Sequence, residues 1–173
     1  VEISEINLDA ASRTILFNRV ERPERIMSTP VADALNILLA DTTLFYQKLR
    51  HYHWNVRGQK FFELHVKFEE IYDKWNLFID ELAERIIALD TVPLHTLDSM
   101  LKHATLKEDE EIPAAREMVN RTIADLLALR DSIDKTIGMA EDTNDRTSVN
   151  ILDAIRDGLE ADHLMLKTWL KQA

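Results

Sequence analysis

Apolar residues recur along this chain three or four positions apart, the period of an amphipathic helix. Leu35, Leu38, Leu39, Phe45, Tyr46 and Leu49 mark the first such stretch. Ser28, Thr29 and Pro30 precede it, hydroxyl caps followed by a proline suited to a first turn. The pattern runs on to Arg57 and meets Gly58, a residue suited to helix termination, so a helix is predicted over 30–57. Residues 60–89 hold neither glycine nor proline. Phe61, Leu64, Phe68, Ile71, Trp75, Phe78, Ile79, Leu82, Ile86 and Leu89 keep the helical period there, and predict a second long helix. Pro93 interrupts it. A short helix is predicted over 96–103, with Leu97, Met100 and Leu101 on one face.

A third long helix is predicted over 110–140, with Pro113 in its first turn and Met118, Ile123, Leu126, Leu127, Ile133 and Ile137 facing inward. The stretch EDTNDRTS at 141–148 is rich in capping residues and reads as a polar turn. A fourth helix follows over 149–170. Residues 1–28 mix charge with scattered apolar positions and read as an N-terminal extension, leaving 29–173 as one domain. The expected fold is all-α: a four-helix bundle with a short extra helix between the second and third long helices. The tight connection near Gly58 makes the first two helices antiparallel.

Composition narrows the picture. Three glycines and four prolines in 173 residues are too few for a turn-rich β architecture. The absence of cysteine excludes disulfides, thiolate metal sites and cysteine nucleophiles. Lysine and arginine total 21 against 31 acids, a net charge of −10. Such a chain is repelled by phosphate backbones and suits cations. No apolar run approaches the roughly 18 residues that a membrane span needs, and no signal-peptide pattern opens the chain. A cytoplasmic location, with no membrane partner, is expected.

The second helix carries the candidate chemistry. His65 and Glu69 form one i, i+4 pair and Asp80 and Glu84 another. At about 100° per residue, the four sit near 0°, 40°, 60° and 100°, on one stripe. At about 1.5 Å per residue, however, the pairs lie roughly 22 Å apart along the axis. One helix cannot gather them. A second copy can, because the midpoint of 65 and 84 is also the midpoint of 69 and 80. A two-fold axis beside Lys74 and Trp75 would bring Asp80 and Glu84 of one chain to Glu69 and His65 of its mate, and Trp75 is expected to pack at that interface. Two identical sites result, as a closed isologous contact requires. Carboxylates with imidazole suit iron, manganese or zinc. His51 and His53 end the first helix but stand about 200° apart, so only one can face His65. Geometry alone leaves that choice open.

The segments HWNVRG (53–58), FFELHVKFEEIYD (61–73) and IDELAERI (79–86) resemble the Dps family of miniferritins, DNA-binding proteins from starved cells, as does PLHTLDSMLKHATLKE (93–108). The resemblance spans about residues 30–171. It implies a ferritin-like bundle, twelve subunits around a hollow interior, and a di-iron ferroxidase site at each two-fold interface. Its ligand pattern falls on His53, His65, Glu69, Asp80 and Glu84, which selects His53 over His51. It further implies Fe(II) oxidation, by hydrogen peroxide in preference to oxygen, storage of Fe(III) as mineral, protection against oxidative stress, and a radical-intercepting role for Trp54. Acids near the start of the fourth helix, Asp142, Asp145 and Asp153, would fall in the region of iron-entry pores. Two features depart from the family. Glu69 stands where aspartate is usual, and no lysine-rich tail is present, which argues against DNA binding. Glu160 and His163 form a lone ExxH; ferritin-like di-iron sites need two, so His163 is expected to be capped or packed, and His51, His95 and His103 to be structural or exposed.

Overall fold

The computed structural model describes residues 28–172. The predicted N-terminal extension lies, apart from Ser28, outside the described residues. Within them the chain forms five helices and no strand: α1 (Pro30–Asn55), α2 (Phe61–Ala88), α3 (Leu97–His103), α4 (Ala115–Asp142) and α5 (Arg146–Gln172). α1 packs along α2 and α4 along α5; α1 also contacts α4, α2 contacts α5, and α3 lies against α1. This is the expected four-helix bundle with a short helix in the long crossover.

Local chemistry explains most boundaries. Thr29 caps α1, its Oγ1 accepting from the Ala32 amide at 3.1 Å, with Pro30 in the first turn. α1 ends at Asn55, two residues before the predicted end, and Val56 is its C-cap. Gly58 therefore lies one position further out than expected, at φ +100°. A Cβ there would meet nothing, so glycine is needed for the backbone conformation alone. Thr96 and Ser99 form a reciprocal capping box on α3.

α4 starts at Ala115 rather than 110, so Pro113 precedes the helix instead of opening it. Ile112 comes before a proline and is biased toward extended backbone. The residues ahead of it are held by α1: the Tyr52 hydroxyl donates to Asp109 at 2.6 Å, and the His51 ring bonds the Glu111 carbonyl at 2.9 Å. Further back, the buried Asp41 carboxylate accepts from the Thr105 amide (2.6 Å), the Thr105 hydroxyl (2.7 Å) and the Leu106 amide (2.8 Å). The polar turn shrinks to residues 143–145, because α5 begins at Arg146. Asp145 is the reason. Its carboxylate accepts from the Ser148 amide (3.1 Å), the Ser148 hydroxyl (2.6 Å) and Arg85 of α2 (2.7 Å). Burial alone would raise this carboxyl, but those bonds outweigh it and hold it below the usual aspartate range.

The core runs through all four long helices. Leu35, Leu38, Leu49, Leu64, Phe68, Leu126, Leu152 and Leu159 are among its fully buried residues. Trp75 sits at its centre. It is 0% exposed, edge-on to Phe45 with ring centroids 4.8 Å apart, and donates to Asp162 of α5 at 3.0 Å. Lys74 pairs with the other oxygen of Asp162 at 2.6 Å. Trp75 is thus committed inside one chain and does not face a two-fold partner as expected. The apolar face predicted for α3 is also open in the single chain, with Leu97 and Leu101 exposed.

Candidate metal site

His53 closes the last turn of α1 and His65 opens the second turn of α2. The short 56–60 connection brings them together. Their rings stack, with centroids 3.7 Å apart and planes inclined by 22°. His53 Nδ1 lies 2.8 Å from the His65 carbonyl oxygen, and His65 Nδ1 lies 2.9 Å from the His53 carbonyl oxygen. A carbonyl can only accept, so each Nδ1 carries the proton. In the neutral ring each Nε2 keeps a lone pair, the form an imidazole ligand needs. Phe61 stacks against His65 at 4.8 Å and holds it from the far side.

His51 is engaged elsewhere. Its Nε2 donates to the Glu111 carbonyl, and its Nδ1 accepts from Asn55 at 3.2 Å. The structure resolves what spacing left open: His53 faces His65 and His51 secures the crossover. His95 and His103 likewise bond backbone carbonyls, those of Pro93 and Ser99.

Glu69 is exposed one turn beyond His65, with the Tyr72 hydroxyl 3.4 Å from its Oε1. Tyr72 also meets the His53 ring edge-on at 5.5 Å. Asp80 and Glu84 lie on the exposed side of α2, and among the described residues neither has a hydrogen bond or ion pair. They are far along the helix from the histidines. No three histidine, aspartate or glutamate side chains converge within the described residues of one chain. The stripe that carries these acids also exposes Phe62 (80%), Val66 (49%), Leu77 (62%) and Ile87 (59%). Asp73, Asn76 and Leu77, not Trp75, occupy its middle. Unpaired acids interleaved with open apolar side chains are a costly surface for an isolated helix.

Trp54 is 57% exposed, with the Arg50 guanidinium 4.8 Å from its ring centroid. Glu160 is exposed and His163 half-buried on α5. Asp145, placed by resemblance in a pore region, is tied to Arg85 and Ser148, whereas Asp142 and Asp153 are exposed. Sequence reading missed Tyr72. Its i, i+3 spacing from Glu69 was the available signal.

The ferritin-like domain family matches residues 32–173. General stress protein 20U of Bacillus subtilis is 36% identical over 144 residues, covering 83% of this chain and 99% of that protein. The DNA protection during starvation protein of Brevibacillus brevis is 38% identical over 141 residues, with 82% and 95% covered. The crystal structure of the Dps protein from Vibrio cholerae O1, described as a member of a broad superfamily of ferritin-like diiron-carboxylate proteins, superimposes with a TM-score of 0.79 at 38% identity, over 81% of this chain and 88% of that one. The fold and these identities agree, and the chain belongs to the ferritin-like family, within it to the Dps proteins.

Proposed function

We propose that this chain is a ferroxidase that oxidises Fe(II) with hydrogen peroxide and stores the Fe(III) inside a hollow homo-oligomer of twelve subunits in the cytoplasm, limiting oxidative damage. The observation that carries this reading is the histidine pair. Reciprocal Nδ1–H to carbonyl bonds lock both rings and leave both Nε2 atoms free, next to Glu69 and on the helix that bears Asp80 and Glu84. The site is completed when a second copy lays its α2 antiparallel on the first. His53, His65 and Glu69 of one chain then meet Asp80 and Glu84 of the other, and the open apolar positions of the stripe are covered.

In this arrangement Fe(II) is the substrate. Imidazole nitrogen and carboxylate oxygen bind it, and the hard anionic oxygens favour Fe(III) over Fe(II), which eases loss of the electron. Two irons held together supply the two electrons that one peroxide needs. The O–O bond breaks, each oxygen takes up protons to leave as water, and no one-electron peroxide fragment is released. Glu69 holds the second iron. Its extra methylene, relative to aspartate, lengthens the arm on which that carboxylate reaches the metal. The net charge of −10 draws cations to the shell and opposes DNA as a partner.

The test is to add Fe(II) to metal-free protein under argon, then peroxide, following Fe(III) absorbance and the iron that elutes with the protein. Fast oxidation at two irons per peroxide, retained iron, and loss of both in a His65→Ala, Asp80→Ala double variant are expected. Oxidation no faster than in buffer would refute the ferroxidase reading and leave the residues as a site for zinc or manganese.

A further inference from the structure

The orientation of the histidine pair is set by backbone. Each ring donates from Nδ1 to the carbonyl oxygen of the other residue, at 2.8 and 2.9 Å. The pair therefore holds only while the last turn of α1 keeps its register against the second turn of α2, and a slide of about 1 Å would carry both bonds out of range. The two residues ahead of His53 are tied to the crossover. His51 Nε2 donates to the Glu111 carbonyl at 2.9 Å, and the buried Tyr52 donates from its hydroxyl to Asp109 at 2.6 Å. The Tyr52 ring also packs on Phe68 of α2, centroids 5.7 Å apart. Asp109 is anchored in turn to α4: Arg121 Nη1 donates to both of its oxygens, at 2.8 and 2.9 Å. Burial alone would raise the Asp109 carboxyl, but the Tyr52 and Arg121 bonds outweigh it and hold it below the usual aspartate range. It stays an anion at neutral pH and keeps accepting.

We infer that Asp109 is a positioning residue of the metal site: through Tyr52, and together with the Glu111 carbonyl on His51, it fixes the last turn of α1 so that His53 and His65 meet in register. The inference rests on the reading of that pair as metal ligands. Asp109 touches no metal and moves no proton; it sets the register of a helix end, and helix ends fray unless something holds them. Packing does not explain the Tyr52 hydroxyl. The residue is 0% exposed, and a phenylalanine would fill the same space with no polar group to satisfy. The crossover is clamped a second time, by Asp41 of α1 on the Thr105 and Leu106 amides. Asp41 stands twelve residues ahead of His53, about 18 Å along the helix at 1.5 Å per residue. One clamp is thus beside the ligand and the other remote from it, so holding the crossover down and holding the ligand in place are separable by position. Opening the near clamp removes no ligand. Both imidazoles remain, but they no longer converge, and the loss is one of affinity.

The experiment titrates Co(II), a spectroscopic stand-in for Fe(II), into the metal-free assembled protein and reads the dissociation constant and the visible absorption of the bound ion. Thermal unfolding is recorded on the same samples. Tyr52→Phe keeps the ring and removes the tie; Asp109→Ala removes it from the other end. Each should weaken Co(II) binding about ten-fold, the low end of the loss that follows removal of a partner orienting a ligating histidine, and should alter the band shape as the imidazoles turn. Asp109→Asn keeps an oxygen for the Tyr52 hydroxyl and should recover most of the affinity. Asp41→Ala opens the remote clamp of the same crossover; it should lower the unfolding temperature and bind Co(II) as the wild type does. Wild-type affinity in Tyr52→Phe, or a loss in Asp41→Ala as large as that in Tyr52→Phe, would overturn the inference and leave the metal-site reading intact. Binding in the wild type no tighter than in His65→Ala would instead overturn that reading, and this inference with it.

Discussion

A site split between two chains predicts a specific arithmetic of rescue. His65 and Asp80 are fifteen residues apart on one straight helix, about 22 Å at 1.5 Å per residue. No side-chain movement within a chain closes that gap. His65→Ala removes an imidazole from one half-site; Asp80→Ala with Glu84→Ala removes the other half. Each variant alone has two defective sites per dimer and should oxidise Fe(II) no faster than buffer. A mixed dimer is different. One of its sites collects both defects and the other collects none. If equal amounts assemble at random, about half the dimers are mixed, and about one quarter of all sites are intact. Co-expression with two affinity tags, followed by purification through both, gives shells whose composition mass spectrometry can establish. The initial rate of peroxide-driven Fe(III) formation per site should recover to about one quarter of wild type for random pairing. Shells proven to be mixed but no more active than their parents would refute the shared site, and so would substantial activity in either parent.

Other outcomes follow from the same contacts. Asp41→Ala leaves the Thr105 and Leu106 amides without their acceptor and should cost about 3 kcal/mol; Asp41→Asn keeps one acceptor oxygen and should cost about 1 kcal/mol, and thermal unfolding that does not separate the two variants would dismiss the clamp. The Asp145 carboxyl is held below its ordinary range despite burial, by Ser148 and Arg85. Its stabilisation is therefore complete above the unfolded aspartate pKa of about 4 and is lost as pH falls through the lower folded value. Asp145→Asn should lower stability at neutral pH and flatten that part of the acid limb, as read by urea unfolding across pH. In a low-salt gel shift, duplex DNA should migrate unretarded with this protein; a retardation reversed by salt would show a basic surface that the net charge conceals.

The helical architecture was legible because long amphipathic periods leave little choice. Boundaries were less so, and the reasons are tertiary. Residues 110–114 have helical composition but are held by Tyr52 and His51 from another helix. Residues 146–148 read as turn because they are polar, yet Asp145 caps them into α5. The stripe of ligand candidates on α2 came directly from spacing. Trp75 was misplaced although the same wheel puts it about 280° from His65, on the buried side. The choice between His51 and His53 was invisible to spacing because it depends on which backbone carbonyls the two rings meet.

The placement of the three tryptophans gives the protein built-in optical probes. Trp75 is sealed in the core against Phe45 and Phe78, so its emission should be blue-shifted, deaf to soluble quenchers, and should shift red only when the bundle itself opens. Trp54 stands in solvent beside the histidine pair, where acrylamide reaches it and an arriving paramagnetic ion would darken it. Trp169 of α5 donates to Glu63 in the first turn of α2 at 3.2 Å and reports on the packing of α5 at the end of the bundle that holds the histidine pair. Quencher-accessible and quencher-protected light can thus be separated in one cuvette, and metal arrival watched apart from unfolding without attaching a dye.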